Sequence, residues 1–75
     1  MAERDILKIF GLNVKLERLK MGFTQAQLAE ILNMHEKHIC KLETGHQNVT
    51  LKTLSKIAQA LQVNENVLLE NRSRQ

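Results

Sequence analysis

Gly22-Phe23-Thr24-Gln25-Ala26-Gln27-Leu28-Ala29-Glu30-Ile31-Leu32-Asn33-Met34-His35-Glu36-Lys37-His38-Ile39-Cys40-Lys41-Leu42-Glu43-Thr44-Gly45 is the stretch that decides the fold. Thr24 with Gln27 three residues later forms a capping-box pattern, which predicts a helix start. Leu28, Ala29 and Leu32 then give a short helix, about residues 25–32, its inward face. Asn33 is the residue type that, after glycine, best tolerates a left-handed backbone, so a tight turn is expected there. A further helix follows from about His35 to Thr44, with Ile39 and Leu42 inward and Gly45 ending it.

The same reading extends outward. An earlier helix is predicted from about Asp5 to Met21, with Ile6, Phe10, Val14 and Met21 inward and Lys15, Arg18 and Lys20 on or near the exposed side. Gly22 closes it. Gly45 to Val49 reads as a loop. Thr50 caps a helix whose Leu51, Leu54, Ile57, Ala58 and Leu61 recur at helical spacing, and Asn64 is positioned to cap a last short helix carrying Val67, Leu68 and Leu69. Residues 71–75 are polar and are expected to fray. The prediction is one all-α domain over 1–75, five helices with its core in about 5–70.

Composition restricts what such a domain does. In 75 residues, 43% are hydrophobic and 25% charged, which suits a folded chain with a modest core. The aromatic residues are Phe10 and Phe23 alone, too few for the stacking platforms of single-strand binders. A net charge of +3 suits a polyanionic partner without establishing one. A single cysteine, Cys40, fits a reducing compartment. The start Met1-Ala-Glu-Arg-Asp resembles no signal peptide, and no apolar run approaches the roughly 20 residues that span a bilayer. A cytoplasmic protein without membrane association is expected. No paired acid and base, oriented nucleophile or phosphate loop suggests an enzyme, and no cofactor is implied.

Two short helices about a turn of roughly three residues form the geometry of a DNA-reading helix-turn-helix, whose second helix enters the major groove. Ala29 fits the close approach of the two helices. The exposed face of the second, with His35, Glu36, Lys37, His38 and Lys41, is too polar for a buried helix and rich in groups that bond base edges and phosphates.

Gly22-Phe23-Thr24-Gln25-x-x-Leu28-Ala29, Ile39-x-x-Leu42-Glu43-x-Gly45 and Leu54-x-x-Ile57-Ala58-x-x-Leu61-x-Val63 together resemble the Cro/C1-type (XRE) family, which includes lambdoid phage repressors, restriction–modification controller proteins and DNA-binding antitoxins. The resemblance covers about residues 10–70. It implies a five-helix, lambda-repressor-like DNA-binding domain of prokaryotic or phage origin, acting at the nucleoid. By position, it implies that Glu36, Lys37 and Lys41, with His35 beside them, read bases. Gln25 would bond a phosphate and brace the recognition helix, and Arg18 and Glu43 would join the first helix to the end of that helix. Thr24, His38, Asn48, Thr50 and Lys52 would lie along phosphates. The family's palindromic sites imply a homodimer, with Val67 as an exposed apolar contact and Leu69 beside it on the last helix.

The sequence departs from the family at Asn33, where glycine is usual, and at Cys40, where a small polar residue is usual. His35, His38, Cys40 and His46 raise the question of a metal. His35 and His38 share a face, but Cys40 lies about 200° around the helix from His38, and no C-x-x-C accompanies them, so no metal site is expected. Histidines near phosphate instead imply a moderate pH sensitivity of binding. Cys40 is expected to be a semi-buried filler.

The expected function is therefore a sequence-specific transcriptional regulator, a repressor or autoregulator, acting as a homodimer on double-stranded DNA. With no residues left over for a sensing domain, its own concentration is expected to control it. The alternative is an antitoxin or bridging factor whose main role is to grip a partner protein, a toxin or the transcription machinery.

Overall fold

The computed structural model describes residues 5–72, which form five helices and no strand. Helix α1 spans Ile6–Met21, α2 Gln25–Leu32, α3 Glu36–Glu43, α4 Leu51–Leu61 and α5 Glu65–Leu69. Each start is set locally. Asp5 accepts the Lys8 N–H at 3.3 Å to cap α1. Thr24 accepts from the Gln27 N–H at 3.0 Å while the Gln27 side chain accepts from the Thr24 N–H at 2.8 Å, the reciprocal capping box of α2. Thr50 caps α4 through the Thr53 N–H. Asn64 occupies the cap position of α5, but its side chain makes no capping bond.

The ends are turned by left-handed residues: Gly22 after α1 (φ 78°), Asn33 after α2 (φ 56°) and Gln62 after α4 (φ 60°). The Asn33 turn brings α3 back across α2 within three residues, 33–35, and lets the Met34 N–H bond Ala29 O at 2.8 Å. That is the turn of a helix-turn-helix.

Phe10 and Val14 of α1, Leu28 and Ala29 of α2, Ile39 and Leu42 of α3, Leu54, Ile57, Ala58 and Leu61 of α4 and Leu68 of α5 make one aliphatic core. Helix α1 packs on α3, α4 and α5, and α2 packs on α3 and α4. The periodicity misplaced several positions at its margins. Ile6 is 44% exposed, because α1 projects beyond the core at its first turn, and Leu51 is 82% exposed at the first turn of α4. Met21 and Leu32 are only half-buried. Arg18, expected on the exposed side, is buried.

Gly11 lies inside α1, where glycine costs about 1 kcal/mol relative to alanine. The reason is close approach: a Cβ there would lie far inside contact distance of the Leu42 carbonyl oxygen and 2.8 Å from that of Glu43. The end of α3 thus rests directly on the backbone of α1.

Beyond α5 the chain returns to α1. The Asn13 amide donates to Leu68 O at 3.0 Å and Glu70 O at 2.6 Å. The Arg72 guanidinium lies 2.8 Å from the Glu17 carboxylate and donates to Val67 O at 3.0 Å. Of the tail expected to fray from residue 71, Arg72 is therefore held; residues 73–75 lie outside the described residues.

Candidate nucleic-acid interface

Helix α3 has a division of labour around its circumference. Ile39, Leu42 and Glu43 are buried, while Glu36, Lys37, His38, Cys40 and Lys41 are exposed. The angular separation of 100° per residue accounts for it, since 39, 42 and 43 share one side and 37 and 41 point away from it. His35, in the cap position of α3, joins Glu36, Lys37, His38 and Lys41 around one shallow, open depression. The structure therefore gathers the residues expected to read bases. The His35 and His38 rings stand edge to face at 6.2 Å. Cys40 is exposed rather than semi-buried, because the buried side of α3 is filled by Ile39, Leu42 and Glu43.

What holds this helix in place is a buried polar cluster. The Glu43 carboxylate receives Arg18 Nε at 2.6 Å and Nη2 at 3.1 Å, and Gln25 Nε2 at 3.0 Å. Arg18 also donates to Phe23 O at 2.8 Å. One carboxylate thus joins α1, the start of α2 and the end of α3. The Arg18 and Glu43 side chains are 9% and 2% exposed, so the pair is not a solvated surface contact of the kind worth about 0–1 kcal/mol. Gln25 is half-buried, and its side-chain nitrogen is committed to Glu43.

The remaining residues expected along phosphates occupy two helix starts and a loop. Thr24 is exposed at the head of α2, with its hydroxyl accepting the Gln27 N–H. Asn48 is exposed in the loop before α4, Thr50 caps that helix, and Lys52 is exposed in its first turn. Backbone N–H groups at such helix starts face solvent and favour an anion. The loop is anchored to α3: the His46 N–H bonds Lys41 O at 2.8 Å, and the Thr44 hydroxyl, 3.0 Å from His46 Nδ1, caps Cys40 O and Lys41 O.

On α5 the structure buries Leu68 and half-buries Val67, leaving Leu69 the more open of the two residues expected at a dimer contact. Val67 is thus less open than expected of an exposed apolar contact; the Arg72 guanidinium donates to its carbonyl at 3.0 Å.

Glu17, which the sequence reading passed over, lies buried on α1. Burial pushes its carboxyl up, but Arg72 and Lys20 outweigh that and hold it below its ordinary value. The spacing carried the signal, since 10, 13, 14, 17, 18 and 21 form one helical stripe; the polarity of Asn13, Glu17 and Arg18 hid it.

Comparison with known proteins places this geometry. Residues 14–68 match the family model described as helix-turn-helix. The control protein C.SmaI of Serratia marcescens is 42% identical over 57 residues, covering 76% of this chain and 68% of that protein. The control protein C.BamHI of Bacillus amyloliquefaciens is 36% identical over 67 residues, covering 88% and 83%. The crystal structure of the restriction-modification controller protein C.AhdI from Aeromonas hydrophila superposes with a TM-score of 0.78 at 29% identity, over 83% of this chain and 94% of that one.

Proposed function

This chain belongs to the helix-turn-helix family of sequence-specific DNA-binding transcriptional regulators, and we propose that it acts as a homodimer on a palindromic operator, reading bases with α3. The observation that carries the reading is the asymmetry of α3. Its inner side is pinned by Ile39, Leu42 and the Arg18–Glu43–Gln25 cluster, while its outer side offers two lysines, a glutamate and two histidines with no structural task in the core.

Lys37 or Lys41 donates to guanine O6 and N7, Glu36 accepts from cytosine N4, and His35 contacts the adjoining base edge. Thr24, His38, Asn48, Thr50, Lys52 and the helix starts of α2 and α4 set the register on phosphates. Gln25 contributes through its brace on Glu43. A homodimer places two such helices about one helical turn of DNA apart. The protein's role is binding rather than catalysis, and it controls transcription, its own included, from the cytoplasm. Among the described residues no helix is long and apolar enough to cross a membrane.

Fluorescence anisotropy on the duplex upstream of its own gene, against scrambled duplex at several salt concentrations, tests this. A preference of about a thousandfold or more that survives added salt is expected. Weak binding to both duplexes that falls steeply with salt would leave only a basic surface and favour a role in gripping a partner protein.

A further inference from the structure

Helix α1 buries one side and leaves an ordered apolar stripe on the other. Ile9, Leu12, Leu16 and Leu19 follow one another at spacings of three, four and three residues, the a and d positions of a heptad pattern. Leu12 is 42% and Leu19 55% exposed, and Ile9 and Leu16 are half-buried. At 100° per residue the four fall within an arc of about 80°, opposite the side that carries Phe10 and Val14 into the core. The stripe runs about 15 Å along the helix, nearly three turns.

Its border carries charge of one sign. Lys8 and Lys15 occupy the g positions beside it, both exposed, and neither has a carboxylate partner among the described residues. Glu17, the acidic residue inside α1, is buried and faces Arg72 and Lys20, while Asp5 precedes the helix as its cap. In a coiled coil the e and g charges set partner choice and orientation. Two copies of this stripe paired in parallel would set Lys15 of one against Lys20, at e, of the other. Paired antiparallel, they would set Lys8 against Lys15. Like charges meet in both orientations, whereas carboxylates at those positions of a different helix complement the lysines.

We propose that the outer side of α1 docks an amphipathic helix of another protein, apolar along its a and d seam and acidic beside it. Leu12 and Leu19 supply the apolar contact, and Lys8 and Lys15 select for acid. Helix α1 meets α3, α4 and α5 with its opposite side, so this partner leaves the outer side of α3 free for DNA. The chain can then hold DNA and an acidic helix at once, whether it binds DNA as one copy or two.

Fluorescence anisotropy tests this with the full chain and a labelled amphipathic peptide carrying leucine at a and d and glutamate at e and g. The control peptide has lysine in place of glutamate. Leu12→Ser, Leu19→Ser, the double variant Lys8→Glu with Lys15→Glu, and Lys41→Ala are compared with the wild type, each checked for folding by circular dichroism melting. The wild type is expected to bind the glutamate peptide at least about tenfold more tightly than the lysine peptide. Each serine variant should weaken that binding about tenfold, the double glutamate variant should reverse the peptide preference, and Lys41→Ala should change nothing. Saturating duplex DNA should leave the peptide bound. Binding that duplex DNA displaces, or that falls in Lys41→Ala and not in the stripe variants, would place the peptide on α3 and overturn the proposal. No binding of either peptide would overturn it as well, and so would self-association of the wild type that Leu19→Ser abolishes, which would give the stripe to a second copy.

Discussion

Arg18 Nε lies 2.6 Å from Glu43 Oε2, and this contact ties the last turn of α1 to the end of α3. Because both side chains are buried, removing one partner strands the other in a poor solvent. Arg18→Ala or Glu43→Ala is expected to destabilise the fold by about 3–5 kcal/mol in urea unfolding. Arg18→Met with Glu43→Leu should lose less, because an apolar pair leaves no buried charge. A single-variant loss under about 1 kcal/mol would show that the pair behaves as a surface contact.

Gly11→Ala sets helix propensity against packing. Alanine favours a helix interior by about 1 kcal/mol, but here its Cβ meets the carbonyls of Leu42 and Glu43. A net destabilisation of about 1–3 kcal/mol, seen as a lower Tm, is expected. A higher Tm would mean that α3 does not rest on α1 as described.

Gln62 and Asn33 hold left-handed backbones that cost a non-glycine residue about 1–2 kcal/mol, asparagine less. Gln62→Gly is therefore expected to raise stability by up to about 1 kcal/mol, and Asn33→Gly by less, in thermal or chemical unfolding. Destabilisation by both would contradict these turns.

Acid stability reads the Glu17–Arg72 contact. The folded carboxyl ionises below the ordinary value of 4.5, so the unfolded chain takes up the proton first as pH falls. The stabilisation is present above about pH 4.5 and is lost as pH drops through the folded value. In Arg72→Ala burial meets less opposition, so the loss of stability on acidification is expected to be shallower. Urea unfolding at a series of pH values checks this, and identical acid limbs would remove Arg72 from the account.

Much of this architecture was legible because local chemistry and global packing agree. Thr24 with Gln27, Thr50 and the turn residues Gly22 and Asn33 marked where helices begin and end, and the structure places them there. The polar outer side of α3 was legible for the same reason, as 37 and 41 fall opposite Ile39 and Leu42 and 36 and 38 flank them. What periodicity missed depends on distant partners. Nothing near Arg18 in the chain reveals that Glu43 and Phe23 O bury it, and nothing near Gly11 reveals a carbonyl from α3. The mistakes at Ile6 and Leu51 arose because a helix end keeps its apolar spacing after it has passed the edge of the core.

Selection of bound duplexes from a random-sequence pool, by the wild type and by Lys41→Ala in parallel, tests the central claim most directly. The account predicts that the wild type enriches a two-fold symmetric site with half-sites about 10 base pairs apart, and that Lys41→Ala loses preference at defined positions in each half while keeping the rest. Enrichment of no sequence by the wild type, or the same site with unchanged preference from Lys41→Ala, would contradict base reading by α3.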